Sequence, residues 1–316
     1  MHVVVVGAGA VGKLYGGWLL AGGVDVSFVA RGASLEALRG DGLTLRGDRG
    51  ELRLGPVAAE EAPEALRPAD AVVLAVKLYD LPEAAGIAGR CILDDGLVVG
   101  LQNGVGAFGL LAEALPPDRI AVGPVYSAAR QVSPGTVEYS GARHLVVLGS
   151  PRGEIHPAAH SLVAGWRRAG VEAEISGDID RVLWTKFLGF ATNAALTCLS
   201  RQPAGVVYHD PDLLELARGS VREIMALAAA EGVALAADAE DATIRLLRSF
   251  PPDMVASMRQ DLDAGRRLEL DDVTGAIVRS GRRHGIPTPI HATAYACLKP
   301  YRDGVPPSIR SDAHAE

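Results

Sequence analysis

A chain of 316 residues is long enough for two domains that each bury a core, and 48% hydrophobic with 22% charged residues is the balance of a soluble globular protein. A formal charge of −7 argues against a general affinity for nucleic acid. Cys91, Cys198 and Cys297 lie far apart in apolar surroundings, which argues against a disulfide framework or cysteine metal site and makes a reducing cytoplasm the expected compartment.

A first strand beginning at residue 2 leaves no room for a signal peptide. The apolar run between Arg181 and Arg201 has bilayer-spanning length, but its central lysine, its asparagine and its three threonines argue against a membrane segment. Eight histidines are scattered without ligand spacing, so no metal is expected. There is no nucleophile elbow, and no serine is expected to pair with a histidine in a triad.

His2-Val3-Val4-Val5-Val6 is a β-branched run of buried-strand type, and Gly7-Ala8-Gly9-Ala10-Val11-Gly12 follows at once. A lone glycine pattern is weak evidence. Here a strand precedes it and a helical pattern follows (Leu14, Trp18, Leu19), closed by Gly22-Gly23. In that context the glycines serve a tight turn, close backbone approach to a pyrophosphate and close helix-on-strand packing. The helix N-terminus then offers N–H groups to the phosphates of a dinucleotide.

Asp25–Ala30 reads as the second strand. An acidic residue at its end would hold the ribose hydroxyls of NAD, whereas arginine suits a 2′-phosphate. The residue is Arg31, so NADPH/NADP+ is expected over NADH, with an ordinary surface arginine as the alternative. Leu43–Arg46 and Glu51–Leu54 read as a hairpin insertion. Asp70–Val76 is a buried strand ending at Lys77, and Leu97–Leu101 is another, ending at Gln102-Asn103-Gly104. Ligands of open α/β sheets bind at the carboxyl ends of strands, which places Lys77 and Asn103 toward the cofactor. A solvated lysine and a plain tight turn are the alternatives. Strands are expected at Ile120–Val125, Val137–Tyr139 and Leu145–Leu148, and a helix from His156 to about Arg168. This alternation predicts an α/β fold, a Rossmann-type doubly wound sheet over residues 1–177.

Residues 178–316 predict an all-helical second domain. Helices are expected from about Asp178 to Gln202-Pro203, over Pro211–Gly232, Ala239–Leu247, Met254–Leu262 and Arg267–Gly281, with a short one after Pro289. The tail beyond Pro300 is expected to be loosely held. The first helix carries Lys186, the one charge between Arg181 and Arg201. Removing an ammonium from water costs several kcal/mol unless it is paired or neutralised. Either Lys186 snorkels to a surface on its aliphatic stem, or it lines a closed site where desolvation makes it a usable proton donor.

Taken together the residues resemble the ketopantoate reductase (2-dehydropantoate 2-reductase) family over nearly the whole chain. The resemblance rests on Gly7 to Gly12, Val76-Lys77-x-Tyr79, Gln102-Asn103-Gly104, Ser127-Ala128-Ala129-Arg130 and Trp184-x-Lys186. It continues through Ser257-Met258-x-x-Asp261, Arg267-x-Glu269-x-Asp271 and Gly285 to Pro289. It implies that Lys186 gives a proton to the carbonyl oxygen of a 2-oxo acid and that Glu269 stands beside the nicotinamide ribose and the substrate. By the same resemblance Arg31, Lys77, Asn103 and Ala129 hold NADPH, and Ser257 touches the substrate. A homodimer through the helical domain is an expectation by analogy.

The chain also departs from that family. Its substrate asparagines fall four and eight residues after the lysine and in the following loop, where this chain has Phe190, Ala194 and Ala204. At about 100° per residue, Asn193 and Thr197 return to the face of Lys186, and they are expected to replace the missing amides in a more apolar pocket. Each lost amide contact weakens recognition by ~1 kcal/mol or more. Ketopantoate is the leading substrate, a more apolar 2-oxo acid the nearer alternative, and a non-catalytic NADPH-binding sensor the alternative from another class.

Overall fold

The computed structural model describes residues 1–141 and 143–305, and the chain divides into two compact units, Met1–Ile179 and Asp180 onward. In the first unit β1 (His2–Val6) is buried throughout and is followed by α1 (Ala10–Ala21), β2 (Asp25–Val29) and α2 (Gly32–Gly40). The hairpin strands β3 (Leu43–Gly47) and β4 (Gly50–Leu54) come next, then β5 (Ala59–Glu60), β6 (Ala69–Leu74), α3 (Leu81–Ala88), β7 (Ile92–Gly100), α4 (Ala107–Ala112) and β8 (Ile120–Val122). The unit closes with β9 (Ala128–Ser133), β10 (Thr136–Ser140), β11 (Leu145–Leu148), α5 (Ala158–Arg168) and β12 (Glu172–Ile175).

Six strands form an all-parallel sheet in the order β5-β2-β1-β6-β7-β8. The chain runs outward from β1 to one edge and then from β6 to the other, so the topological switch point lies between β1 and β6. Its central strands are buried on both faces, which is why they read as unbroken valine-rich runs instead of alternating ones. Helix α1 packs on α5, and α3 on β1 and β6. This is the expected doubly wound architecture.

The expected hairpin is there, but as part of a second sheet, β4-β3-β10-β9, in which β3 runs parallel to β10 with Leu45 opposite Val137. Three strands carry no legible signal, among them β5, only two residues long. Strand β9 is largely exposed, so it lacks an apolar period, and β12 is only four residues long. Strand β8 stops at Val122, three residues short of the expected end.

One expectation is overturned here. Ser127 does pair with a histidine: its Oγ is 3.0 Å from His144 Nδ1, and His144 Nε2 is 2.8 Å from Asp48 Oδ1. The His144 ring lies against Trp18 and Tyr139, and the Tyr15 hydroxyl donates to Ser127 Oγ at 3.2 Å. The chain of bonds ties the β3–β4 turn to the segment entering β9. With His144 and Asp48 96 positions apart, no spacing rule could have found it.

The second unit is helical: α6 (Ile179–Ser200), α7 (Ala204–Val207), α8 (Pro211–Ala230), α9 (Ala239–Arg248), α10 (Ser257–Asp263), α11 (Thr274–His284) and α12 (Pro289–Leu298). Helix α6 is long and apolar enough to cross a membrane, contrary to expectation, but 72% of its apolar window is buried inside the fold, as in a core helix. It ends where Arg201 turns left-handed (φ 56°) before Gln202-Pro203. Asp210 caps α8 by accepting from the N–H groups of Asp212 and Leu213, with Pro211 in the first turn.

Three expectations need correction in this unit. The helix expected from Arg267 begins only at Thr274, because Leu268 N–H is taken by the Arg302 carbonyl and Asp271–Val273 form a turn. Cys297 is exposed, not apolar-packed. Residues as far as Val305 are held, with Val305 against Gly265 and the Arg201 guanidinium over the Tyr301 ring, while the rest of the expected loose tail lies outside the described residues.

Helices α6, α8 and α12 are joined by a buried polar chain, Thr192 Oγ1 to Ser220 Oγ (2.8 Å) to His291 Nε2 (2.9 Å). Glu223 adds its carboxylate to the N–H groups of Ile290 and His291. Burial pushes His291 down to about 4. The unfolded chain therefore binds more protons between its ordinary pKa and about 4, and stability falls as pH is lowered through that window, by up to ~3 kcal/mol. His291→Gln, which cannot titrate, is expected to flatten this loss in urea unfolding measured at pH 7 and pH 4.5. Glu223, raised by burial, opposes the trend in both proteins and so cancels in the comparison. An unchanged pH slope would refute the assignment.

Candidate active site

The glycine loop joins β1 to α1 at the switch point. Gly7 has φ +98°, and a Cβ there would lie 2.8 Å from Val76 N; a Cβ on Gly12 would lie 2.1 Å from the Gly7 carbonyl oxygen. Both glycines are required by the protein's own packing. Gly9 is different, because a Cβ there would meet nothing within 4 Å. It stands at the N-cap of α1, where no side chain caps the helix, while Ala8, Ala10 and Val11 lean on the core. Open space in front of an uncapped twelve-residue helix fits a pyrophosphate.

Arg31 follows β2 and starts α2, is exposed, and makes no ion pair or hydrogen bond with another of the described residues. Asp25, at the far end of β2, is paired with Arg67. The strand end thus offers an uncommitted guanidinium and no carboxylate, the donor set for a 2′-phosphate. Half-buried Lys77 and Asn103 follow β6 and β7. Gln102 sets these two ends side by side: its amide donates to the carbonyls of Leu74 (2.8 Å) and Val76 (3.2 Å). Ala129 lies on β9, the strand that packs along α1.

Lys13, which carries no local signal, is fully buried beneath this region. Its ammonium donates to Ser34 Oγ and Gln131 Oε1 (both 2.9 Å) and to the Pro134 carbonyl, and burial pushes its pKa down to about 8. It ties the first turns of α1 and α2 to β9.

In the helical unit Lys186 sits half-buried on α6, and burial pushes its pKa down to about 8. Its Nζ lies 5.9 Å from the centroid of Phe190, one turn on, so the residue at a family asparagine position presents an aromatic face to the ammonium. Trp184 and Phe187 stack edge-on at 5.9 Å on the buried side of the same turn. Ala194 and Ala204 are buried and bring no polar group.

Asn193 is 5% exposed, and its Oδ1 accepts from the Tyr208 hydroxyl at 2.8 Å. Thr197 is 0% exposed and donates its hydroxyl to the Asn193 carbonyl at 2.6 Å. That bond is the local back-bonding of a helical threonine, so Thr197 presents no donor to a substrate. Ser257 is exposed at the start of α10, and α10 is held to α6 by Arg259, which donates to the Thr197 carbonyl at 2.9 Å. Glu269 is buried, 5% exposed, in the bend between α10 and α11. Nearby Asp272 is raised by burial and by the charges of Glu269 and Asp271. No group of three or more His, Cys, Asp or Glu side chains suited to a metal occurs among the described residues.

Residues 3–153 match the family described as Ketopantoate reductase PanE/ApbA, and residues 178–302 match its C-terminal counterpart. The chain is 32% identical to a 2-dehydropantoate 2-reductase of Halobacterium salinarum over 93% of its own length and 96% of the relative's. Among solved structures it is similar to a PanE/ApbA family ketopantoate reductase from Ralstonia eutropha JMP134, with TM-score 0.87, 32% identity and coverage of 96% and 98% of the two chains. It is also similar to a 2-dehydropantoate 2-reductase from Geobacter metallireducens GS-15, with TM-score 0.88, 28% identity and coverage of 95% and 99%. Matches to both halves, at this identity and over this length, place the chain in the ketopantoate reductase family, as an oxidoreductase acting on a CH–OH group.

Proposed function

We propose that the protein uses NADPH to reduce a 2-oxo acid, with 2-dehydropantoate (ketopantoate) as substrate and pantoate as product, a step toward pantothenate and coenzyme A. Lys186 carries this reading. An ammonium on an apolar helix, with its pKa brought down to about 8, is largely protonated at neutral pH yet able to release its proton. When bound, NADPH supplies the hydride for the carbonyl carbon. Lys186 holds its proton against the carbonyl oxygen, polarises it, and gives the proton up as the alkoxide develops. Its charge also attracts the substrate carboxylate.

Glu269 is assigned to the nicotinamide ribose and the substrate, and Ser257 and Asn193 to substrate hydrogen bonds. Gly7 to Gly12 and the open N-terminus of α1 are assigned to the pyrophosphate, Arg31 to the 2′-phosphate, and Lys77, Asn103 and Ala129 to the remaining contacts with the dinucleotide. The fit of Gly9 and Arg31 to these groups supports the cofactor assignment.

A second reading rests on Phe190. Its ring beside the ammonium, with Ala194 and Ala204 at the other asparagine positions, favours a 2-oxo acid with a more apolar side chain. A panel of 2-oxo acids running from ketopantoate to bulky apolar members, followed by NADPH absorbance, separates the two. The leading reading predicts the highest kcat/KM for ketopantoate. Turnover of an apolar member with none on ketopantoate would move the assignment to the second reading.

A further inference from the structure

Asn193 stands on α6 seven residues after Lys186, two turns along the same face and about 10 Å further up the axis. Its side chain leans back toward the helix N-terminus, and so toward the lysine. What that amide can offer depends on which way round it is held, and the structure holds it from one side only.

Tyr208 follows α7 directly. Hydrogen bonds from Ala204 N–H to the Met254 carbonyl and from Gly205 N–H to the Pro252 carbonyl anchor that short helix. The Tyr208 ring is 0% exposed and packs edge-on against Phe250, with centroids 6.4 Å apart. Its hydroxyl has a single partner among the described residues, Asn193, at 2.8 Å. A buried phenol must give its proton to the one acceptor it has, so the atom facing it is the carbonyl oxygen. Burial also raises the Tyr208 pKa, which keeps the proton in place.

The NH2 group of Asn193 is thereby turned away from Tyr208. It bonds to no described residue, and it is not among the sealed, unpartnered polar atoms, which are Gln102 Oε1, Thr274 Oγ1 and His291 Nδ1. Asn193 keeps 5% of its surface exposed, and its NH2 group is left as a donor with no partner among the described residues. Thr197, which fastens its hydroxyl to the Asn193 carbonyl, and Arg259, which donates to the Thr197 carbonyl, hold the backbone beneath it.

We infer that Tyr208 is a positioning residue that locks the Asn193 amide with its N–H groups outward, making this subsite a fixed donor that selects substrates carrying an acceptor oxygen. The inference rests on the proposed reduction of a 2-oxo acid. In a pocket whose other asparagine positions hold Phe190, Ala194 and Ala204, one correctly turned amide carries polar recognition that the family spreads over several. Freed from Tyr208, the amide would flip, and its oxygen would meet the acceptor oxygens of the substrate instead of pairing with them.

Tyr208→Phe removes the hydroxyl and keeps the ring. With whichever 2-oxo acid the wild-type enzyme reduces best, the variant should raise KM for that acid about 5- to 20-fold. Its kcat and its KM for NADPH should stay within about twofold. Asn193→Ala should raise KM by a similar factor, and Tyr208→Phe added to Asn193→Ala should raise it no further. Thermal unfolding of each variant checks folding separately. An unchanged KM in a folded Tyr208→Phe variant, or a full additional increase on top of Asn193→Ala, would overturn the inference. Failure of the wild-type enzyme on every 2-oxo acid would instead overturn the proposed reduction.

Discussion

Lys186→Ala is expected to lower turnover by about 10²- to 10⁴-fold, the usual size of a general-acid contribution, while leaving NADPH affinity within about twofold. The asymmetry follows from the assignment. The proton is needed only as negative charge develops on the carbonyl oxygen, so its loss falls on the transition state rather than on cofactor binding. The same assignment fixes a pH dependence. The lysine must carry its proton to donate it, so turnover should decline as pH rises through about 8, and this limb should vanish in the alanine variant. Lys186→Arg would test charge against proton transfer, since a guanidinium keeps the charge but holds its proton too tightly to give it up. Turnover by Lys186→Ala close to that of the wild type would return Lys186 to the role of a snorkelling surface lysine.

Arg31→Ala should weaken NADPH binding about 10- to 100-fold, the loss expected when a charge-assisted phosphate contact goes, with little effect on NADH. The guanidinium is exposed at the end of β2, and the only acidic residue on that strand, Asp25, is paired with Arg67 at the opposite end. No carboxylate at the strand end of β2 takes over the ribose hydroxyls, so the variant should lose its preference for NADPH without becoming a good NADH enzyme. Titration of both cofactors by fluorescence or calorimetry reads this directly. An equal loss for both would remove Arg31 from the 2′-phosphate.

What could be read from the sequence was local. The valine run, the glycine turn and Arg31 lie within thirty residues of one another and each has a short-range physical signature. The core helix of the second unit was legible for a similar reason, as a lysine in an apolar run. The missing pieces are contacts across the chain. Lys13 reaches Gln131 over 118 positions, and Asp48 reaches His144 over 96. Helical spacing puts Asn193 and Thr197 on the face of Lys186 but cannot say that Thr197 spends its hydroxyl on its own helix, or that Tyr208 holds Asn193. Strand β9 escaped because an exposed strand needs no apolar alternation, and the helix expected from Arg267 was cut short by a carbonyl contributed from Arg302.

The most direct measurement is NADPH oxidation by the purified protein with ketopantoate. Steady turnover is expected, with pantoate formed in equal amount and oxidation slowed by about 100-fold or more when Lys186 is replaced by alanine. NADPH that binds tightly but is never oxidised, by ketopantoate or by any other 2-oxo acid, would contradict this and leave the chain a binder of the dinucleotide.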